Sequence, residues 1–136
     1  YIIGGRCVKS SENYNTMDVL TTDGIAVMKP GAPMKEIRNK LAVSYLKNNI
    51  YATGGGNRDV KATNSVEVYN LSTCVWTVGP SMNHARFGHS LSAVQGMLYA
   101  IGGMDNAGNV RASSLTVLPL LSQCCLFSHS AASSLT

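Results

Sequence analysis

Charged residues are scarce in this chain, and long apolar runs are absent. Asp, Glu, Lys and Arg make up 13% of the 136 residues, whereas 45% are hydrophobic. This balance excludes the polar, highly charged composition that keeps a chain disordered. No apolar run reaches the roughly 20 residues of a membrane-spanning helix, and we expect no cleavable leader. We therefore expect a soluble, folded segment with no membrane partner, whose N-terminus is cut within a strand.

Metal-binding and disulfide patterns are also lacking. The four cysteines form no Cys-x-x-Cys pair, and no histidine stands at zinc-ligand spacing; the cysteines are Cys7, Cys74, Cys124 and Cys125. Their irregular spacing, in a chain with enough apolar residues to form a core, favours reduced thiols over disulfides. We expect no metal and no cofactor.

The chain does contain an internal repeat. Tyr1, Tyr51 and Tyr99 each begin an aromatic–apolar–Gly-Gly segment, and they lie 50 and then 48 positions apart. A second apolar motif recurs at 49 positions, at residues 17–20, 66–69 and 115–118. Two independent motifs with nearly the same period indicate repeated structural units.

Each unit is predicted to hold four short strands, here labelled a to d. In the central unit, turn-forming residues separate predicted strands at 42–46, 49–54, 65–69 and 74–78, and no stretch of the chain shows sustained helical periodicity. Val66 and Val68 alternate with Glu67 and Tyr69, so the two pairs are expected on opposite faces of strand c. Four antiparallel strands repeated about every 49 residues are typical of a β-propeller blade. The predicted fold class is therefore all-β.

Specific motifs mark the strands of the unit. Arg86 and Gly88-His89-Ser90 precede strand a, Tyr-Ala-Ile-Gly-Gly forms strand b, Val-Glu-Val-Tyr forms strand c, and Trp76 lies in strand d. This pattern resembles the kelch repeat over residues 1–118, and it is most similar to the Kelch-like family. Val27 replaces the Trp of the first unit and Leu41 the His of the second. The resemblance implies structural roles for Gly4, Gly5, Gly54, Gly55, Tyr69, Trp76, Gly102 and Gly103.

The repeat also predicts how the chain is organised. We expect strands b, c and d of one blade in residues 1–34, a complete blade in 35–82, strands a, b and c of a third in 83–118, and a divergent, poorly ordered tail in 119–136. A propeller needs about 4–8 blades to close, and 136 residues hold about 2.8 units of 49. The chain is therefore expected to be a fragment of a ring, with self-assembly of several copies as the alternative.

Enzymatic patterns are incomplete. The Gly-rich run 54–58 lacks the Lys-Ser/Thr of a phosphate-binding loop. His89 and Ser90 are neighbours on one strand, so they point to opposite faces and cannot act as base and nucleophile. Kelch-like propellers also occur in copper radical oxidases and sialic-acid epimerases, but His84, His89 and His129 form no recognisable set with Tyr and Cys. We expect no enzymatic activity and a packed, structural role for His89.

Positive charge is expected on one side of the sheets. Because antiparallel strands alternate in direction, the b–c loops and the connections between blades emerge together on one side, which we call the loop face. Nine basic and four acidic residues are assigned to the loop face, against two basic and three acidic ones elsewhere. Partner contact is predicted for Arg6, Lys9, Lys35, Arg58, Lys61, His84, Arg86 and Arg111. The alternative for Arg38 and Arg86, at matching repeat positions, is a structural role.

The resemblance implies a protein-recognition module. In the Kelch-like family a propeller follows BTB and BACK domains, and the protein acts as the substrate adaptor of a cullin–RING ubiquitin ligase. Other members bind actin or organise the cytoskeleton. A free-standing kelch scaffold without ligase attachment is the third alternative. Arginine suits bidentate contact with carboxylates, so the predicted ligand is an acidic peptide segment. Nucleic acid is not expected, because the basic residues are spread around a ring without exposed aromatics between them. The expected location is the cytoplasm, with cytoskeletal association as an option.

Overall fold

The computed structural model describes residues 1–6, 9–21, 27–110 and the backbone of 115–118. This part of the chain contains strands and no helix, which confirms the predicted all-β class. The strands are β1 (Ile2–Arg6), β2 (Asn13–Thr21), β3 (Val27–Pro30), β4 (Ala42–Leu46), β5 (Asn49–Thr53), β6 (Val66–Asn70), β7 (Val75–Val78), β8 (Ser90–Val94), β9 (Met97–Ile101) and β10 (Leu115–Leu118). The predicted tail, residues 119–136, lies outside the described residues.

The strands form three antiparallel sheets, each built in chain order. The first sheet consists of β1, β2 and β3, the second of β4 to β7, and the third of β8, β9 and β10. In the second sheet, the four strands begin and end within one residue of the predicted bounds. The predicted strand order a–b–c–d of the central unit is therefore confirmed.

Two-residue turns join the first two strands of the second and third sheets. Lys47 and Asn48 have φ values of 47° and 62°, and Gln95 and Gly96 have 48° and 78°. Positive φ at both central residues matches the right-handed twist of a hairpin and is the usual solution for a two-residue loop. Local sequence thus sets these strand pairings.

The core lies between the sheets, in two layers. Tyr51, Val66 and Val68 of the second sheet pack against Leu98 and Ala100 of the third. On the other side of the second sheet, Ile50, Ala52, Tyr69 and Trp76 belong to a cluster that includes Met17 of the first sheet. Strand β6 is therefore buried on both faces, and Val66 and Val68 lie on the face opposite to Tyr69, as the alternation predicted.

The glycine pair that ends strand b is required by both backbone conformation and space. Gly54 has a φ of +58°, and a Cβ there would lie 2.5 Å from the carbonyl oxygen of Arg86; Gly55, with a φ of +80°, would meet Asn39 equally closely. Real side chains do not tolerate such contacts, and L-residues rarely adopt this φ. The backbone therefore requires glycine at 54 and 55, where the connection to the next sheet crosses the strand end.

The outer faces of the first and third sheets have no neighbouring sheet among the described residues. Ile2 and Leu20 are 55% and 44% exposed on the first sheet, and Val94 and Ile101 are 51% and 47% exposed on the third. The equivalent faces of the second sheet are buried against its neighbours. The three sheets therefore form an open arc with two apolar outer faces.

Candidate functional site

The loop face contains the segments that follow β1, β5 and β9 and the two segments that join the sheets. Six of the eight residues predicted to contact a partner are exposed there: Arg6, Lys9, Lys35, Arg58, Lys61 and His84. Arg111 lies outside the described residues. The structure thus places most of the predicted basic side chains in solvent, where their contact with a partner stays a prediction.

Arg86 is the exception, and its assignment to partner contact is wrong. Its side chain is completely buried, and its Nη1 donates a hydrogen bond to the carbonyl oxygen of Gly102 at 2.9 Å. Arg38, one repeat earlier, is equally buried and donates from Nη1 to Gly54 at 2.8 Å. A planar guanidinium with several fixed donors can satisfy carbonyls at a strand end that a lysine could not. Both arginines are therefore buried within the blades, each bonded to the carbonyl oxygen of a strand-ending glycine.

Glu67 is a structurally important residue that the sequence reasoning left without a role. Its carboxylate, only 2% exposed, accepts hydrogen bonds from the backbone N–H groups of Lys35 (2.6 Å) and Glu36 (3.0 Å) and from Nε of Arg38 (3.4 Å). It therefore fixes the segment that joins the first and second sheets at the loop face. The available signal was a carboxylate inside an otherwise apolar strand, since buried charges are paired.

Trp76 and Tyr69 pack between the first and second sheets. The indole Nε1 of Trp76 donates to the carbonyl oxygen of Ala32 at 2.8 Å, and the two ring centroids lie 5.2 Å apart. Both side chains are at most 5% exposed, and burial raises the pKa of Tyr69 to about 12. Both aromatics therefore contribute to the packing between these two sheets.

His89 is packed between the second and third sheets. It is 7% exposed, and its Nε2 lies 2.9 Å from Oγ1 of Thr53. Burial, and secondarily the nearby cation of Arg86, lowers the pKa of His89 to about 4. The ring is therefore neutral at physiological pH, in line with the predicted packed role.

A cleft opens on the loop face between the first and second sheets. Its narrow part has a volume of about 230 Å³ and is lined by two guanidinium groups, three amides and a hydroxyl, from Arg6, Arg58, Asn13, Asn39, Asn57 and Ser11. None of the ion pairs between described residues involves Arg6 or Arg58. The narrow part therefore presents two guanidinium cations together with amide groups, an arrangement suited to a carboxylate.

Within the ranges that the structure describes, no three His, Cys, Asp or Glu side chains are grouped as metal ligands. The same ranges contain no helix long and apolar enough to span a membrane.

Comparison with known proteins supports the repeat. A family model described as the Kelch motif matches residues 38–83. The chain is 30% identical over 121 residues to Kelch-like protein 33 of Homo sapiens, an alignment that covers 89% of this chain and 22% of that protein. It is 40% identical over 86 residues to Alpha-scruin of Limulus polyphemus, covering 59% of this chain and 9% of that protein. This chain thus spans less than a quarter of either relative.

A solved structure gives the same fold. The structure of YjhT aligns with a TM-score of 0.59 and 22% identity, covering 68% of this chain and 28% of that one. At this identity the likeness supports the propeller fold alone.

Proposed function

Because this chain is built of kelch repeats, and kelch-repeat domains generally bind proteins, we propose that its loop face holds an acidic segment of a partner protein. The observation that carries the proposal is the narrow part of the cleft, where Arg6 and Arg58 converge with three amides. Guanidinium groups bind carboxylates through paired, charge-assisted hydrogen bonds. Both walls of the cleft belong to sheets of this chain, so the site is formed without any further blade.

At a finer level, we propose that the protein is the substrate-recognition propeller of a cullin–RING ubiquitin ligase adaptor. The alignment with Kelch-like protein 33 over 89% of the chain supports this role. The partners would then be a substrate with an acidic segment and the subunits of the ligase, in the cytoplasm. The proposal assigns the chain no catalysis and no cofactor.

The second candidate is a kelch scaffold of the actin cytoskeleton. Some kelch-repeat proteins bind actin, and the similarity to Alpha-scruin, at 40% identity, favours keeping this alternative. Immunoprecipitation of the full-length protein separates the two candidates. Recovery of a cullin supports the adaptor, whereas co-sedimentation with filamentous actin and no recovered cullin would replace it with the scaffold.

Charge reversal tests the binding face itself. The probe is a fluorescein-labelled peptide of Glu and Gly, titrated with the full-length protein while fluorescence anisotropy is recorded. Arg58→Glu should weaken binding on the order of tenfold, and raising NaCl from about 50 to about 300 mM should weaken wild-type binding. Lys47→Glu is the matched control, because it makes the same change of charge in the turn between β4 and β5, away from the loop face. Equal affinities of wild type and Arg58→Glu would show that the cleft does not bind acidic segments.

A further inference from the structure

The cleft between the first and second sheets carries both signs of charge. Beyond its narrow part it widens to a volume of about 550 Å³, and the lining of the wide part includes Glu12, Asp59, Tyr14 and Ile37. Arg58 lines both parts. The cleft is therefore basic at its narrow end and acidic at its wide end, a polarity that the count of charges on the loop face does not reveal.

The acidic end is held in place by local hydrogen bonds. The Glu12 carboxylate accepts hydrogen bonds from the hydroxyls of Tyr14 (3.1 Å) and Ser10 (3.2 Å), which keep it beside the tyrosine. Asn57 accepts hydrogen bonds from the backbone N–H groups of Asp59 and Val60 through its side-chain oxygen, both at 2.9 Å. These contacts order the two loops that carry Glu12 and Asp59.

The two walls are also joined to each other across the sheets. The Asn39 side chain donates to Oδ1 of Asn13 at 2.7 Å, and the backbone groups of Asn39 and Gly56 exchange hydrogen bonds of 2.7 and 3.0 Å. A cleft whose walls are ordered before binding loses less conformational entropy when a ligand enters. The separation of charge is thus a fixed feature of the described surface.

We propose that the cleft recognises a segment of mixed charge, with a carboxylate at the narrow end and a lysine or arginine, close to it in sequence, at the wide end. This inference rests on the proposed function and specifies its ligand. The carboxylate lies between Arg6 and Arg58. The cation lies near Glu12 and Asp59, beside the ring of Tyr14, while Ile37, 46% exposed, contacts its aliphatic stem.

A purely acidic segment fits the wide end poorly. Its second carboxylate would face Glu12 and Asp59, and the juxtaposition of like charges is how a binding surface rejects the wrong partner. The two acidic residues therefore act as specificity determinants, because they favour one class of acidic segment and disfavour the other. Removal of their charge should have opposite effects on the two classes.

Two neutral variants and two peptides test this inference in the full-length protein. The variants are Glu12→Gln and Asp59→Asn, both at exposed positions. The probes are the peptide of Glu and Gly and a second in which Glu and Lys alternate, separated by Gly, both followed by anisotropy. Each variant should weaken binding of the mixed peptide by about threefold to tenfold and should tighten binding of the acidic one.

The two proposals fail in different ways. If the neutral variants leave binding of the mixed peptide unchanged, or tighten it, the proposed cation site is wrong. This holds even when Arg58→Glu weakens the binding of both peptides. If Arg58→Glu weakens the binding of neither probe, the proposed function is wrong, whatever the effect of the neutral variants. Double neutralisation of Glu12 and Asp59 checks that the effect on the mixed peptide grows with each charge removed; no increase over the single variants would also overturn the cation site.

Discussion

Arg38 donates a hydrogen bond from Nη1 to the carbonyl oxygen of Gly54 at 2.8 Å, at a position fully closed to solvent. Its guanidinium also donates to the backbone oxygen and the hydroxyl of Ser65, and it forms ion pairs with Glu67 and Glu36. A single side chain thus joins the segment before strand a, the end of strand b and the start of strand c. The same bond to the glycine carbonyl recurs one repeat later, between Arg86 and Gly102.

Truncation of Arg38 should lower the stability of the second sheet. Arg38→Ala leaves Glu67 as a buried carboxylate without its cation, a class of change that costs about 3–5 kcal/mol. Urea denaturation of the full-length protein measures the loss. Arg58→Ala, a change of the same kind at an exposed position, should stay within about 0.5 kcal/mol of wild type. Similar midpoints for both variants would mean that the buried network contributes little.

Removal of the Trp76 ring should be similarly costly. The side chain is 4% exposed and packs against Tyr69, and its Nε1 supplies the hydrogen bond to Ala32. Trp76→Ala should lower the free energy of unfolding by about 3–5 kcal/mol, because both a large cavity and an unpaired carbonyl result. Trp76→Phe should recover much of the packing but not the hydrogen bond. If Trp76→Ala melts at the wild-type temperature, the contact between the first two sheets does not depend on this ring.

The stability of the propeller should fall below about pH 6.5. His89 has a pKa of about 4 in the folded chain, and an unfolded histidine titrates near 6.5. As the pH falls through this window, the unfolded chain binds the proton first, so stability is fully present above about pH 6.5 and is lost progressively towards about pH 4, by about 1–3 kcal/mol. His89→Gln should flatten this part of the profile of urea midpoint against pH. His84→Gln, at an exposed position, should leave the profile unchanged; a flat wild-type profile would contradict the prediction.

The isolated chain of 136 residues should associate with itself. Its arc leaves apolar side chains exposed on both outer faces, such as Leu20 on the first sheet and Ile101 on the third, and soluble monomers rarely tolerate large patches of this kind. Sedimentation velocity should show oligomers or aggregates, and Leu20→Lys together with Ile101→Lys should reduce them. A monomeric mass combined with a cooperative thermal transition would refute the expectation.

The sequence by itself determined the repeat, the strands and the positions that build a blade. Period-two alternation in residues 66–69 and the turn residues at Lys47 and Asn48 act locally, so they could be recognised without any knowledge of neighbouring sheets. The same holds for the glycine pairs, because each repeat presents them at the same place, whereas Trp76 was recognised only by its resemblance to the kelch repeat, since the first unit has Val27 at that position. Arg58, assigned to the loop face from the sequence, lies in a loop and is exposed.

Only the tertiary structure decided which charged side chains are exposed to solvent and which of them lie close to one another. Arg86 and Arg58 look alike in the sequence as basic residues beside a strand. Arg86 is nevertheless buried, and its guanidinium donates a hydrogen bond to the carbonyl oxygen of Gly102. Glu67 acquires its role from N–H groups more than 30 residues away, at Lys35 and Glu36. The cleft brings Glu12 and Asp59 together from loops of two different sheets, and its polarity follows from that packing. The sequence determines the charge of each side chain, but contacts between sheets determine whether that side chain is buried and which other charges lie near it.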